Sequence, residues 1–299
     1  MKKVLKSVLY VVVLLVAFMA IQGIFTALAS VVAVLYMVSM GGVTMDVLKE
    51  MLQEGELNSL SSIDNGIYIW AVSVALFLST LATLALIHFI KGYRLKPELL
   101  RSISFKPLAY STLLVFTSMF ALNILVQWFG VKDHLADVFS GLTHNVVGVL
   151  SIAIFGPLLE EVLFRGAVQG YLMRRYKPWV AIVCAALAFG LIHVNPAQVV
   201  YATLLGLVFG WIYYRTGSLL SVIVGHVLNN SMATIVMLFF PEEETLSAVN
   251  ETMPQMFQTA SEVFMFVVFA ALSLLFAVKL HRALPAVPSP WRDATDAVQ

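Results

Sequence analysis

Glu160 and Glu161, followed four positions later by Arg165, lie in a stretch of chain that otherwise reads as a membrane-spanning helix. A charge at the centre of hydrocarbon costs about 2.5–3.5 kcal/mol on insertion scales, so three so close together need a partner or a chemical task. Three further polar groups sit in apolar surroundings: His193, His226 and Asn230. Carboxylates, imidazoles and an amide are what hydrolysis of a peptide bond requires. One group accepts a proton from water, N–H donors stabilise the developing oxyanion, and an acid protonates the leaving amine. No serine or cysteine is evidently paired with these residues, so nothing demands a covalent intermediate.

Helical geometry sorts the candidates. Adjacent residues on a helix point about 100° apart, so Glu160 and Glu161 are not expected to face one partner. Glu161 and Arg165 stand at i and i+4, in the order that favours an ion pair, and pairing offsets much of their desolvation. Glu161 is then a supporting residue, and Glu160 is left on another face as the candidate acid/base. The plainer alternative is that Glu160 only bonds a neighbouring helix. His193 lies four positions after Phe189 and just before Asn195-Pro196, a helix-breaking pair. His226 and Asn230 share one helix face. Singly, a buried His reads equally well as a bonded core residue, and a buried Asn as interhelical glue. Counting from the nearest cytoplasmic charges, Glu160 lies 14 residues before Arg174, His193 16 after Lys177 and His226 11 after Arg215. At ~1.5 Å per residue these counts place all three about 16 to 24 Å deep, where they can meet.

The elements that carry them must be membrane helices. Of the 299 residues 60% are hydrophobic and only 12% charged, and the mean hydropathy is +0.91, which sets the chain apart from soluble domains. An uncharged run from Lys6 to Asp46 predicts one long, tilted first helix. Lys2, Lys3 and Lys6 with Ala27-Leu28-Ala29 also resemble a signal peptide, but the apolar run continues past that site. Further apolar runs at 67 to 90, 107 to 131, 143 to 173, 178 to 194, 197 to 214, 218 to 240 and 262 to 279 bring the expectation to about eight transmembrane helices, all-α. Lys and Arg gather at alternate connections, so both termini are expected to be cytoplasmic.

The whole of 1–299 reads as a single membrane domain with a chemistry-bearing core over 145–240. Residues 41–66 form an extracytoplasmic loop, in which 44–55 have the spacing of a short surface helix. The tail over 284–299, with Pro285, Pro288 and Pro290, is expected to be mobile and cytoplasmic. Gly206 and Gly210, four apart, suit a close helix approach. A net charge of +1 argues against nucleic acid as a partner, and the single Cys184 forms no disulfide framework. The lipid bilayer is the partner the composition does imply.

Glu160-Glu161-x-x-x-Arg165, Phe189-x-x-x-His193 and His226-x-x-x-Asn230, in this order along the chain, resemble the three motifs of the CPBP family (CAAX proteases and bacteriocin-processing enzymes), also called Abi-type intramembrane proteases. The resemblance implies a helical membrane peptidase acting on a membrane-associated peptide or protein. Glu160 and His193 would activate water, His226 and Asn230 would steady the oxyanion, and Glu161, Arg165 and Phe189 would support them. Glu160, His193 and His226 also make a His₂Glu zinc set, so a metal-free scheme and a zinc-dependent one stand side by side, with no cofactor favoured. Two readings of other classes are an idle membrane immunity or scaffold protein, against which the intact motifs argue, and a proton-relay transporter, for which no repeat symmetry is visible. Short loops point to a bacterial cytoplasmic membrane. Nothing separates prenylated tails from other membrane-delivered substrates.

Overall fold

A computed structural model describes residues 2–41, 44, 46, 49, 66–89, 103–131, 136–239 and 255–284. Within them all regular structure is helical: α1 Lys2–Ser39, α2 Ile67–Phe89, α3 Phe105–Trp128, α4 Ala136–Leu142, α5 Val146–Met173, α6 Pro178–Leu191, α7 Pro196–Thr216, α8 Leu219–Phe239 and α9 Gln255–Ala283. Seven of these described helices are long and apolar enough to span a bilayer. The chain is a multi-pass membrane protein. α1 is one unbroken helix of 38 residues, about 57 Å at 1.5 Å per residue, and it continues through Ala27-Leu28-Ala29. Apart from Thr44, Asp46 and Lys49, the predicted surface helix over 44–55 lies outside the described residues, as does the tail beyond Leu284.

One of the eight expected spans falls short. The run over 178 to 194 forms only α6, 14 residues long, about 21 Å. Pro196 is the reason: it disfavours helical backbone at the residue before it, and Asn195 is extended at φ −71°, ψ 119°. The chain therefore turns back between Leu191 and Pro196, and α6 and α7 form a tight antiparallel hairpin.

α5 departs from regular α-helix where it matters most. Pro157 has no N–H and its ring collides with the carbonyl four residues back. The helix widens to i→i+5 bonding over Ser151–Phe155, and the Gly156 N–H bonds the Ser151 carbonyl. A Cβ at Gly156 would lie 3.0 Å from that oxygen. The Ile152 carbonyl thus loses both helical donors: the N–H four residues on is taken, and Pro157, five on, has none. A second widened stretch covers Val162–Gln169. Insertions of this kind are rare and cluster at functional sites.

Around α5 the remaining helices pack in pairs. α1 and α2 are joined by the Ser79 hydroxyl donating to Gln22 Oε1 at 2.6 Å. α3 and α9 are joined through Ser273 and Thr117, 3.0 Å apart, and by stacked Phe120 and Phe269. The core comprises Leu159, Phe164, Val168, Phe189, Phe209 and Ile212 from α5, α6 and α7. Outward-facing Leu5, Val32, Leu35, Phe264 and Leu274 are exposed, as lipid-facing side chains should be.

Gly190 sets the α6–α7 separation, because a Cβ there would run into Thr203 Oγ1 and lie 2.7 Å from the Val199 carbonyl. Substitution G190A is expected to destabilise the fold by about 1–3 kcal/mol through overpacking, read as a lower melting temperature in detergent. An unchanged melting temperature would show that the hairpin does not depend on this approach.

Candidate functional site

Two turns of α5 place Glu160, Glu161 and Arg165 in the core. Arg165 Nη1 lies 2.9 Å from Glu161 Oε1, and the side chains are 1% and 0% exposed, the i, i+4 pair that the spacing predicts. Arg165 Nη2 donates to the Gly206 carbonyl of α7 at 3.3 Å. The guanidinium also lies over the rings of Phe189 at 4.5 Å and Phe209 at 5.1 Å, a cation–π sandwich in a desolvated setting.

His226 of α8 reaches the same carboxylate, with Nδ1 2.7 Å from Glu161 Oε1. An ionised carboxylate only accepts, so Nδ1 carries a proton. The other ring nitrogen, Nε2, stands 3.6 Å from Glu160 Oε2. This corrects the expectation that the two carboxylates face different partners. They do point apart along α5, but an imidazole has a polar atom on each of two edges and can meet both. Glu160 is 20% exposed where Glu161 is fully buried, so it is the carboxylate of the pair that water can reach. Arg165 and an N–H of His226 thus meet the Glu161 carboxylate from two helices, which offsets its desolvation.

His193 is placed by the end of α6. The Phe189 carbonyl belongs to the last turn, whose oxygens lack helical donors, and the backbone N–H of His193 goes instead to Gly190 at 3.1 Å. The imidazole fills the gap, with Nδ1 2.8 Å from the Phe189 oxygen, so in the neutral ring Nδ1 is the donor and Nε2 the acceptor. The Phe189 ring stands edge-on to His193 at 5.0 Å and to His226 at 5.7 Å. Val194 follows at φ 59°, and the Asn195 N–H closes a three-residue turn onto the His193 carbonyl at 2.5 Å. A β-branched residue in the left-handed region costs about 1–3 kcal/mol and is held by its surroundings.

Asn230, one turn after His226, also reaches α5, where its Nδ2 donates to the Ile152 carbonyl at 2.9 Å, the oxygen that Pro157 leaves without a helical donor. Among the described residues no hydrogen bond or ion pair joins His193 to Glu160, or Asn230 to either carboxylate. The zinc alternative needs Glu160, His193 and His226 to converge. Among the described residues no three His, Cys, Asp or Glu side chains are grouped so as to hold a metal ion.

Four neighbours of the site were not foreseen. Gln169 donates to the Gly210 carbonyl at 2.8 Å, and with Arg165 on Gly206 it forms a ladder of donors four apart facing carbonyls four apart. That signal was readable in the spacing of Arg165, Gln169, Gly206 and Gly210. The glycines also admit α6, since a Cβ at Gly206 would lie 3.2 Å from Ala186 Cα. Phe209 packs on His226 at 4.9 Å. Tyr201 and Asn229 bond each other beside Asn230, and no local spacing announces that pair.

Removing one member of the buried ion pair leaves the other charge stranded. E161Q and R165L are each expected to cost about 3–5 kcal/mol, and E161L/R165L together less than the sum, measured by thermal unfolding in detergent. Additive losses would show that the two charges do not depend on each other.

Residues 142–232 match the family described as type II CAAX prenyl endopeptidase Rce1-like. A curated relative, "Putative membrane peptidase YdiL" of Bacillus subtilis (strain 168), is 28% identical over 90 residues, which is 30% of this chain and 37% of that protein. The match therefore spans well under half of the relative's length. No solved structure matches the chain. The matched segment runs from the end of α4 into α8 and includes Glu160, Glu161, Arg165, Phe189, His193, His226 and Asn230, the residues drawn in around α5. Over that segment the chain is similar to the CAAX protease (CPBP) family.

Proposed function

We propose that the chain is an intramembrane endopeptidase that hydrolyses a peptide bond of a membrane-associated peptide or protein. The observation that carries this reading is the Glu160–His226–Glu161–Arg165 array, in which a partly open carboxylate is backed by a buried, charge-balanced cluster. Such a cluster holds its protonation pattern without rearrangement, which is what acid–base catalysis in a dry site needs.

Each side chain then has a task. Glu160 takes a proton from the attacking water, and the unprotonated Nε2 of His193 orients that water from the other side. His226 holds its Nδ1–H on Glu161, and its Nε2, when it bears a proton, donates to the carbonyl oxygen as it becomes an oxyanion. Asn230 uses one Nδ2 hydrogen on Ile152 and offers the second to the same oxygen. The tetrahedral intermediate collapses as Glu160 returns its proton to the leaving amine. The chain in this reading is one membrane domain with both termini cytoplasmic, in a bacterial cytoplasmic membrane.

The family description makes a farnesylated peptide ending in Cys-aliphatic-aliphatic-X the first probe. With the full chain in lipid vesicles and this peptide carrying an internal quencher, E160Q is expected to reduce cleavage at least ~10²-fold, as loss of a general acid/base does. Its melting temperature should hold, because Glu160 is partly exposed. Wild-type cleavage by folded E160Q would overturn the assignment. Chelation is expected to leave the wild-type rate unchanged, whereas activity lost with EDTA and regained with zinc would support the metal scheme.

A further inference from the structure

Asn230 is one member of a hydrogen-bond chain that crosses three helices. The Tyr201 hydroxyl donates to Asn229 Oδ1 at 2.6 Å, Asn229 Nδ2 donates to Asn230 Oδ1 at 3.0 Å, and Asn230 Nδ2 donates to the Ile152 carbonyl of α5 at 2.9 Å. An amide presents an oxygen at one side and an NH₂ at the other, and its partners decide which way it lies. Here each link has a set polarity. Tyr201 donates, so Asn229 turns its oxygen toward α7 and its NH₂ toward Asn230. Asn230 must then present its oxygen to Asn229 and its NH₂ to α5, and the acceptor-only Ile152 carbonyl requires the same orientation. Asn229, at the middle of the chain, is buried, while Tyr201 and Asn230 on either side of it are half-buried.

We infer that Tyr201 and Asn229 are positioning residues that fix the polarity and direction of the Asn230 amide, leaving its second Nδ2–H aimed at the substrate oxygen. The inference rests on Asn230 being an oxyanion donor, as proposed above. Tyr201 does not touch substrate; its effect passes through two amides. Interhelical glue alone would need one bond between α7 and α8, whereas this relay ends on a carbonyl that the widened turn before Pro157 frees, and so ties the orientation of Asn230 to the same helix that carries Glu160.

The test uses the full chain in vesicles with the farnesylated quenched peptide, and side-chain amide NMR of ¹⁵N-asparagine-labelled protein, the Asn230 signal being assigned by its loss in N230A. Y201F is expected to lower kcat about 10-fold with KM unchanged, below the ~10² that a 1 Å misplacement costs. N230A is expected to lower kcat ~10²- to 10³-fold, and Y201F/N230A to be no slower than N230A alone. In Y201F the Asn230 amide resonance should move. Independent, multiplying losses in the double variant, or an Asn230 resonance unmoved in Y201F, would overturn the inference, and the second readout decides even if the probe is not cleaved. N230A cleaving at the wild-type rate would instead overturn the oxyanion reading, and a resonance that still moves in Y201F would mark that as the separate failure.

Discussion

A carboxylate with no exposed surface governs the centre of this protein. Glu161 cannot reach water, so its charge must be met by cations and N–H donors brought to it inside the helix bundle. Arg165 comes from the next turn of α5, and His226 comes from α8. Once Arg165 is buried, its other guanidinium face needs neighbours as well, and α6 and α7 supply the rings of Phe189 and Phe209 and the carbonyl of Gly206. Four helices are thereby committed to a single meeting point. Glu160, one residue earlier, inherits a fixed position beside His226 while keeping some access to water.

A second constraint has the same physical origin. At membrane depth, backbone groups without a partner find no water to bond. Around the site, carbonyls receive side-chain N–H groups: Ile152 from Asn230, Phe189 from His193, and, as the third and fourth of these, Gly206 from Arg165 and Gly210 from Gln169. The first is set free by Pro157 and the second by the end of α6. Three of the four donors are also candidate site residues. Completing the backbone therefore orients the very groups that hydrolysis would use, and a bond that looks purely structural, such as His193 to Phe189, selects the tautomer.

Much of this was legible along the chain. The lengths of most apolar runs matched their helices, because a bilayer's thickness translates directly into residue count. The Glu161–Arg165 pair followed from i, i+4 spacing, and residue counts allowed Glu160 and His226 to meet, as they do at 3.6 Å. The fifth run is short, as the Asn195-Pro196 pair implies: hydropathy continues through Ile192 and Val194, but Pro196 has already ended the helix. The two carboxylates point apart along α5 yet meet one partner, because an imidazole offers a nitrogen on each of two edges.

What the sequence determined by itself was everything local to one helix: which segments span, which residues share a face, and which polar groups reach membrane depth. Only the tertiary structure decided that His226 lies between Glu160 and Glu161, that Asn230 lands on Ile152, and that Tyr201 and Asn229 stand behind it. The reason is geometric. Positions within a helix are set by its fixed rise and turn, whereas contacts between helices depend on the rotation and offset of whole packed bodies. In this chain those are set by glycine contacts at Gly190, Gly206 and Gly210 and by the widened turn before Pro157.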